Sequence, residues 1–571
     1  MGGNSVLGSH NDLFVKRLYV KSGKQRTKDI TNCGMQQSVF ARAHVDGCEW
    51  GWAVRAMWRG GASREGGEPP RAIVARRRDG DIAALPQRDC TATGHEGAAT
   101  GYEDAATGQE RCARNGAARA AGSRYGRGAT YGCRIAGKDD SIPDMIGKIQ
   151  QTTLPNGSRV VTSQMDTVES VSVCIDFGGG SRHEKLSECG YSHFLEHLIF
   201  KGSERYPTPK AISQPIESIG GSLNASTGLE QTGFFAVVPY DGLPLALDIL
   251  TDMVSRPIFD QSNVELERNV VFSEMRMSYD DDFDYLSQQA MQGAWPGNAV
   301  GRPILGSREV LSEATAERLH AFRQSHYTAG SAIVAAAGKL EHERLVDLVR
   351  PFLEQLPPGP VPGYRRVRNP PPMQRFFCER RDATQVQTIL TFRSIPYSDE
   401  HRSEQMLLAM LLGGSSYSRL FQSLRERSGL SYMVDCMPMP LSDCGVFQIL
   451  ASLNPEGSLK AMRLCAKELR SLCRKPVPAK ELTRELSRVI GASRIGGESS
   501  RSQMGRILKG TRLLGRVEST DEVIERLRKV TPESLHAFAS NLFRKDNLSL
   551  SLILPKTEKM TGEEHLEALE I

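Results

Sequence analysis

Two histidines and a glutamate lie close together in the segment His193-Phe194-Leu195-Glu196-His197. Residues four apart lie on the same face of a helix, so the imidazoles of His193 and His197 could bind one cation. Glu196 would lie beside them as a proton acceptor. These are the groups that a catalytic zinc site uses to activate water. The alternative is a packed or solvated helix face that carries the same residues by chance.

A catalytic zinc site needs a third protein ligand and leaves one position for water. Residues 263–277 have a helical pattern in which Glu267 and Glu274 are seven apart, so both lie on one face. This face is one candidate source of the ligand, and Glu274 would complete a site of two histidines and one carboxylate. The second half of the chain has no His-x-x-Glu-His string of its own. The sequence therefore predicts one Zn²⁺ per chain.

The segments around these residues alternate between strand and helix patterns. Pro155-Asn156-Gly157 stands between two short apolar segments and is typical of a hairpin turn. Apolar residues at every second position predict strands at 171–177 and 232–238, whereas helical spacing predicts helices at 191–202 and 243–254. Strands and helices mixed in this way favour the α+β class.

The two halves of the chain repeat each other. Leu319-His320-Ala321-Phe322 recurs 216 residues later as Leu535-His536-Ala537-Phe538, and an apolar strand pattern follows each copy. A proline-rich stretch between the halves favours an extended connector. We therefore expect a duplicated α+β lobe. The division we predict is a catalytic lobe at 145–355, a linker at 356–373, a second lobe without metal at 374–560 and a tail at 561–571.

Residues 1–144 differ in composition from the rest of the chain. Arg, Gly and Ala dominate between Gly51 and Gly137, and few residues are available to form a core. We expect a disordered extension, or a start site placed too far upstream, with Met145 as the natural beginning. A basic tail that binds RNA and a targeting presequence are the alternatives.

Bulk composition argues against several classes of protein. The formal net charge is +5, of which residues 1–144 carry +6 and the remaining residues −1. Nucleic acid is therefore not an expected partner of the main body, and only residues 1–144 could bind it. The twelve cysteines form no Cys-x-x-Cys pair, which favours reduced thiols. Neither an apolar run of membrane-spanning length nor an export segment is evident, so we expect a cytoplasmic protein with no membrane association.

The segment from Gly190 to Gly202 resembles the insulinase/pitrilysin inverzincin family of metallopeptidases, and within it the beta-like, bacterial-type branch of the mitochondrial processing peptidases. In that family the third ligand is a glutamate that follows the second histidine after 76 residues, and 76 residues separate His197 from Glu274. The resemblance also implies that Glu267 orients a ligating histidine from outside the ligand set. It covers residues 147–555.

Two further segments carry the resemblance and suggest how substrate is held. Gly220 to Thr227 is similar to the family's edge strand, where peptide adds as an extra strand and contacts Asn224 and Ala225. In the second half, Arg425 and Tyr432 match an arginine and a tyrosine that face the zinc across the cavity. The family resemblance implies two homologous lobes that form a clamshell around a peptide-binding chamber.

These observations together predict a zinc metalloendopeptidase that cleaves peptides or unfolded segments. Glu196 would act as the base, with Tyr432 and Arg425 stabilising the oxyanion or gripping the substrate. We expect a homodimer or a heterodimer with a related subunit, in the cytoplasm or alternatively in the mitochondrial matrix. A catalytically inactive assembly subunit of the same fold and a zinc-stabilised binding module are the competing hypotheses.

Overall fold

The computed structural model describes residues 147–368 and 370–570. It also describes the backbone of two short strands, Phe40–Val45 (β1) and Cys48–Ala53 (β2), which pair antiparallel. The rest of the segment 1–144 lies outside the described residues, so the expected disorder there stays a prediction.

A six-stranded mixed sheet forms the first lobe, in the order β3-β4-β8-β5-β7-β6. Only β4 and β8 run parallel, and the other neighbours are antiparallel. The predicted Asn-Gly hairpin joins β3 to β4, with Gly157 at a φ of 90°. The strands are Lys148–Thr153 (β3), Arg159–Gln164 (β4), Ser170–Phe177 (β5), Ser222–Thr227 (β6), Thr232–Pro239 (β7) and Ala332–Gly338 (β8).

Helices cover this sheet because their apolar faces match its apolar side chains. The predicted helices at 191–202 and 243–254 are confirmed as α1 and α3, although α1 ends three residues earlier than expected. The helices of this half are Tyr191–Ile199 (α1), Pro209–Ser218 (α2), Leu243–Ser255 (α3), Gln261–Asp280 (α4), Asp282–Ala294 (α5), Arg308–Ser312 (α6), Ala316–His326 (α7) and His342–Glu354 (α8).

The second lobe has a five-stranded sheet in the order β11-β12-β10-β13-β9, with only β13 and β9 parallel. Its strands are Phe376–Arg381 (β9), Val386–Ser394 (β10), Ser431–Pro440 (β11), Gly445–Leu453 (β12) and Leu548–Pro555 (β13). Its helices are Arg402–Leu412 (α9), Ser458–Arg474 (α10), Ala479–Gly496 (α11), Ser500–Leu513 (α12), Thr520–Arg528 (α13), Pro532–Leu542 (α14) and Gly562–Ala568 (α15).

The expected duplication is visible in the topology. The strand sequence β4-β8-β5-β7-β6 has the same pairing pattern as β9-β13-β10-β12-β11, and one parallel pair occupies the same place in each sheet. Leu319 in α7 and Leu535 in α14, the first residues of the repeated motif, are both fully buried. Each helix runs into the strand that forms the parallel pair. The α+β, two-lobed fold is thus as predicted.

Each half contributes one helix to the sheet of the other half. Helix α5 packs on β9, β10 and β13, where Leu286 and Ala290 contact Ile389, Leu450 and Ile553. Helix α12 packs on β4, β5 and β8 through Met504, Ile507 and Leu508. Each sheet therefore has both faces covered only when both halves of the chain are present.

Buried ion pairs hold the halves together beside these helices. The side chain of Arg182, which follows β5, is fully buried and pairs with Glu230 and with Asp443 of the second lobe. Its guanidinium also lies 4.1 Å from the ring centroid of Tyr364 in the linker. Arg512 at the end of α12 pairs with the buried Asp176 of β5. Breaking such a pair would leave a buried charge uncompensated.

Candidate active site

Helix α1 places the His-x-x-Glu-His residues and is held by the core of the first lobe. It starts after Gly190, whose φ of 100° suits glycine, and a Cβ there would lie 2.8 Å from the Cα of Gly306. Four apolar residues of the helix are fully buried, namely Phe194, Leu195, Leu198 and Ile199. The orientation of the helix is therefore fixed by packing.

The three predicted metal ligands converge. Nε2 of His193 lies 3.6 Å from Oε2 of Glu274, and Nε2 of His197 lies 3.4 Å from the same oxygen. Donor atoms of all three residues lie within 4.8 Å of one another. Ligand atoms bound tetrahedrally at zinc distances are about 3.4 Å apart. Two imidazoles, which bind metal in their neutral form, and one carboxylate at these separations fit a zinc ion.

Burial and the neighbouring charges set the protonation of the two histidines. Burial lowers the pKa of His193 to about 4 and outweighs the opposing effect of Glu274, so its ring is neutral, the form that binds metal. Burial also opposes a charge on His197, but hydrogen bonds to Glu267 and Glu274 outweigh it and raise the pKa to about 10. The pKa of Glu274 is about 2, because the nearby histidines overcome the effect of its burial. The trio is thus arranged to stabilise a positive charge.

Glu267 orients His197 from behind. Its Oε2 lies 3.1 Å from Nδ1 of His197, which leaves Nε2 facing Glu274. Lys201, one turn further along the chain, forms an ion pair with the other carboxylate oxygen of Glu267. Both predicted glutamates of α4 therefore contact α1, one on each nitrogen of the same ring.

Glu196 lies half-buried beside the ligands and is held by the edge strand. The hydroxyl of Thr227, at the end of β6, donates to its Oε2 at 2.5 Å. Burial raises the pKa of Glu196 to about 7, and the charge of Glu274 acts in the same direction. A carboxylate with such a pKa can both accept and return a proton near neutral pH.

Asn224 and Ala225 lie in β6, which pairs with β7 and forms the outer edge of its sheet as described. The Asn224 side-chain oxygen accepts a hydrogen bond from the backbone N–H of Ala225 at 2.8 Å. The edge position agrees with the expected peptide-binding strand. Contact with substrate stays a prediction.

Arg425 and Tyr432 contact each other in the second lobe. Arg425 donates to the backbone carbonyl of Tyr432 at 2.9 Å, and its guanidinium lies 4.7 Å from the Tyr432 ring centroid and 4.8 Å from that of Phe421. The Tyr432 side chain is 71% exposed. Within residues 147–368 and 370–570, the hydrogen bonds, ion pairs and ring contacts of this pair stay in the second lobe. Their predicted action at the metal site is not tested by these contacts.

The backbone around Arg425 is not a regular α-helix. Residues Phe421–Glu426 form a π-helical segment. Such segments are short and frequently occur at functional sites. Phe421 and Arg425 both lie in this segment, and the guanidinium of Arg425 contacts the Phe421 ring as well as the ring of Tyr432 in β11.

Two residues of the site were not identified from the sequence. Thr227 contacts Glu196, but a threonine at a strand end has no distinctive pattern. Asp284 in α5 is 5% exposed, and its Oδ2 has no hydrogen-bond partner among the described residues. Burial and the charges of Asp281 and Glu274 raise the pKa of Asp284 to about 7. The run of acids from Asp280 was the only hint of it in the sequence.

The described part of the chain includes no helix with the length and apolar character that crossing a bilayer requires. The expected compartment is not otherwise tested.

Two family models match adjacent parts of the chain. Residues 159–308 match the model described as insulinase (peptidase family M16), which includes all three proposed ligands. Residues 313–489 match the model described as the peptidase M16 inactive domain. The absence of a second His-x-x-Glu-His string from the C-terminal half agrees with that description.

Curated relatives match across most of their own length. The chain is 35% identical over 428 residues to an uncharacterized zinc protease of Mycobacterium tuberculosis, which covers 74% of this chain and 96% of the relative. It is 33% identical to an uncharacterized zinc protease of Streptomyces coelicolor, with 74% and 92% covered.

Solved structures share the fold at lower identity. A protease from Helicobacter pylori matches with a TM-score of 0.65 and 20% identity, covering 72% of this chain and all of the other. A putative M16-like peptidase from Alicyclobacillus acidocaldarius matches with a TM-score of 0.64 and 17% identity, covering 72% and 98%.

Proposed function

Because this chain belongs to the insulinase family, peptidase family M16, we propose that it is a zinc metalloendopeptidase that cleaves peptides or unfolded polypeptide segments. One observation carries the proposal. His193, His197 and Glu274 bring donor atoms within 4.8 Å of one another, with the half-buried carboxylate of Glu196 beside them. Three protein ligands leave a position for water, which a catalytic site needs and a purely structural zinc site does not.

His193, His197 and Glu274 would hold the ion, which supplies a Lewis acid that lowers the pKa of bound water to about 7 and polarises the peptide carbonyl. Glu196 takes the proton from the attacking water and returns it to the leaving amine. The hydroxyl of Thr227 holds the Glu196 carboxylate in place between these two transfers.

The substrate would lie along β6 as an added strand, near Asn224 and Ala225. Main-chain pairing of this kind requires an extended peptide, which favours short or unfolded substrates. Arg425 and Tyr432 would stabilise the oxyanion or hold the substrate from a second lobe. We further propose that the protein belongs to the beta-like branch of the processing peptidases. Its partner would be a second copy of the chain or a related subunit.

The competing hypothesis of an inactive assembly subunit has less support. Such a subunit has no need for a base, whereas Glu196 is present and accepts a hydrogen bond from Thr227 next to the three proposed ligands.

Glu196→Gln tests the proposal. The variant should still bind about one zinc per chain, as measured by elemental analysis. It should lose nearly all activity on a peptide library, with the cleavage products detected by mass spectrometry. The reason is that the base is removed while the ligands remain. Glu217→Gln, an exposed glutamate of α2, is the control and should behave as wild type. Retention of most turnover by Glu196→Gln would remove Glu196 from the mechanism.

A further inference from the structure

Strand β6 ends at Thr227, whose hydroxyl bonds the proposed base, and the chain then turns back into β7. Residues 228–231 form this connection, the β6–β7 turn. Thr227 pairs with Thr232 across the turn, and the backbone N–H of Gly228 donates to the carbonyl of Gln231 at 2.8 Å. Because Thr227 is joined to the turn by a peptide bond, the position of its hydroxyl depends on how the turn is held.

The loop that follows β5 supports the turn from within the first lobe. The backbone N–H of Arg182 donates to the carbonyl of Leu229 at 2.9 Å, and that of Ser181 donates to Gly228 at 3.1 Å. Gly180 permits this close approach, since a Cβ there would lie 2.3 Å from the carbonyl oxygen of Gly228. The side chain of Arg182 therefore extends from a backbone that is bonded to the turn.

The second lobe binds the same turn through residues 441–444, which connect β11 to β12. Glu230 accepts hydrogen bonds from the backbone N–H of Ser442 at 3.0 Å and from its hydroxyl at 2.5 Å. The buried guanidinium of Arg182 lies between Glu230 and Asp443, at 2.5 Å from an oxygen of each. Hydrogen bonds that involve an ionised group are about twice as strong as neutral ones. The cluster thus fixes the place of Glu230 relative to the second lobe.

Apolar contacts hold the neighbouring residue of the turn. Leu229 packs against an apolar cluster that contains Trp295, which follows α5, together with Cys444 and Val446 of the second lobe. These three cluster members are buried, so the contact excludes water. Two successive side chains of the four-residue turn, Leu229 and Glu230, therefore depend on the second lobe for their position.

We propose that Glu230 is a positioning residue that fixes the β6–β7 turn and, through Thr227, orients the carboxylate of Glu196. The second lobe, which contributes none of the three proposed metal ligands, thereby takes part in orienting the base. The inference rests on the proposed peptidase function, because it assigns the role of base to Glu196. A change at this contact between the lobes should lower turnover and leave metal binding and substrate affinity in place.

The first experiment measures peptide cleavage by the full chain with either of two substitutions. Glu230→Gln should lower kcat roughly ten- to a hundredfold, because a small displacement of a catalytic group is costly in rate. Ser442→Ala leaves every ion of the cluster paired and should lower kcat about two- to tenfold. KM and zinc content should stay within about twofold of wild type in both. The control is Tyr285→Phe, which loses a different hydrogen bond between the halves, to Glu379 at 2.8 Å, and should keep the wild-type kcat.

A double-mutant cycle with Thr227 separates positioning of the base from a general loosening of the fold. If Glu230 acts through Thr227, Glu230→Gln should add less than about twofold to the loss of kcat in Thr227→Val, which lacks the hydroxyl. Beside Thr227→Ser, which keeps the hydroxyl, Glu230→Gln should retain its full effect. Losses that multiply in Glu230→Gln/Thr227→Val contradict the assignment. Wild-type kcat in both Glu230→Gln and Ser442→Ala contradicts it as well.

Amide hydrogen exchange of the purified full chain tests the hold on the turn without turnover. The amides of residues 224–232, measured by mass spectrometry, should exchange roughly tenfold faster in Glu230→Gln than in wild type or in Tyr285→Phe. Unchanged exchange in this segment overturns the proposal. If wild type cuts no peptide while Glu230→Gln shows the faster exchange, the peptidase proposal fails, whereas the role of Glu230 in fixing Thr227 stands.

Discussion

Replacing Glu267 by glutamine should weaken zinc binding by roughly ten- to a hundredfold. Glu267 accepts the Nδ1 proton of His197 at 3.1 Å and thereby presents Nε2 to the metal. A glutamine oxygen can still accept this hydrogen bond, but the charge assistance is lost, and charge-assisted bonds are about twice as strong as neutral ones. The expected change corresponds to about 1.4–2.7 kcal/mol in binding free energy.

The same substitution has a separate cost in stability. The Lys201 side chain is 11% exposed and would lose its carboxylate partner. An ion left unpaired in such a place costs about 3–5 kcal/mol. Lys201→Met separates the two effects, because it removes the ion pair and keeps the bond between Glu267 and His197. It should lower the melting temperature and leave zinc affinity within about threefold of wild type.

Zinc affinity is measured by competition with a chromogenic chelator well below the melting temperature, so that unfolding does not contribute. The control is Glu265→Gln, on the same helix and exposed, which should bind zinc as wild type does. If Glu267→Gln binds zinc as tightly as Glu265→Gln, the carboxylate has no part in fixing His197.

Tyr432→Phe should lower kcat by roughly ten- to a thousandfold at nearly unchanged KM and zinc content. Mixing the Tyr432→Phe protein with the Glu196→Gln protein shows where the tyrosine acts. If turnover recovers, Tyr432 serves the metal site of a second chain. If it does not, Tyr432 and Glu196 act within one chain. Wild-type kinetics of Tyr432→Phe would exclude it from catalysis. In metal-free protein, folding raises the pKa of Asp284 from 3.8 to about 7. Between these pH values the folded state therefore holds one more proton than the unfolded state, and the free energy of unfolding falls as pH rises from about 4 to 7. Asp284→Asn should match wild type at pH 4 and be more stable at pH 8 by on the order of 4 kcal/mol in denaturant titrations; equal stability at both pH values contradicts the assigned shift.

The convergence of His193, His197 and Glu274 was predictable because helical spacing fixes which side chains share a face. His193 and His197 could be paired from their positions alone, and the family spacing selected Glu274 over Glu267. The strands of the first sheet were likewise predictable from alternation. Family membership, α+β class and the two lobes are confirmed, while the processing-peptidase branch stays a proposal.

Contacts between distant elements could not be derived from local patterns. The approach of Thr227 to Glu196 depends on how β6 lies against α1, and the two residues are 31 positions apart in the sequence. The charge environment of Asp284 depends on how α5 lies against α4, which carries Glu274. Periodicity identifies an apolar face but does not identify the element that covers it.

The exchange of α5 and α12 has a consequence for synthesis on the ribosome. The last strand of the first sheet, β8, ends at Gly338, and α12 starts at Ser500, about 160 residues later. At roughly 5–20 residues per second, the face that α12 covers stays open for about 10–30 s after its strands have emerged. The alanine-rich face of β8, fully buried in the finished protein, is exposed to solvent or to a chaperone during that interval. A chain released before Ser500 would keep this surface exposed permanently and become a target for aggregation or degradation.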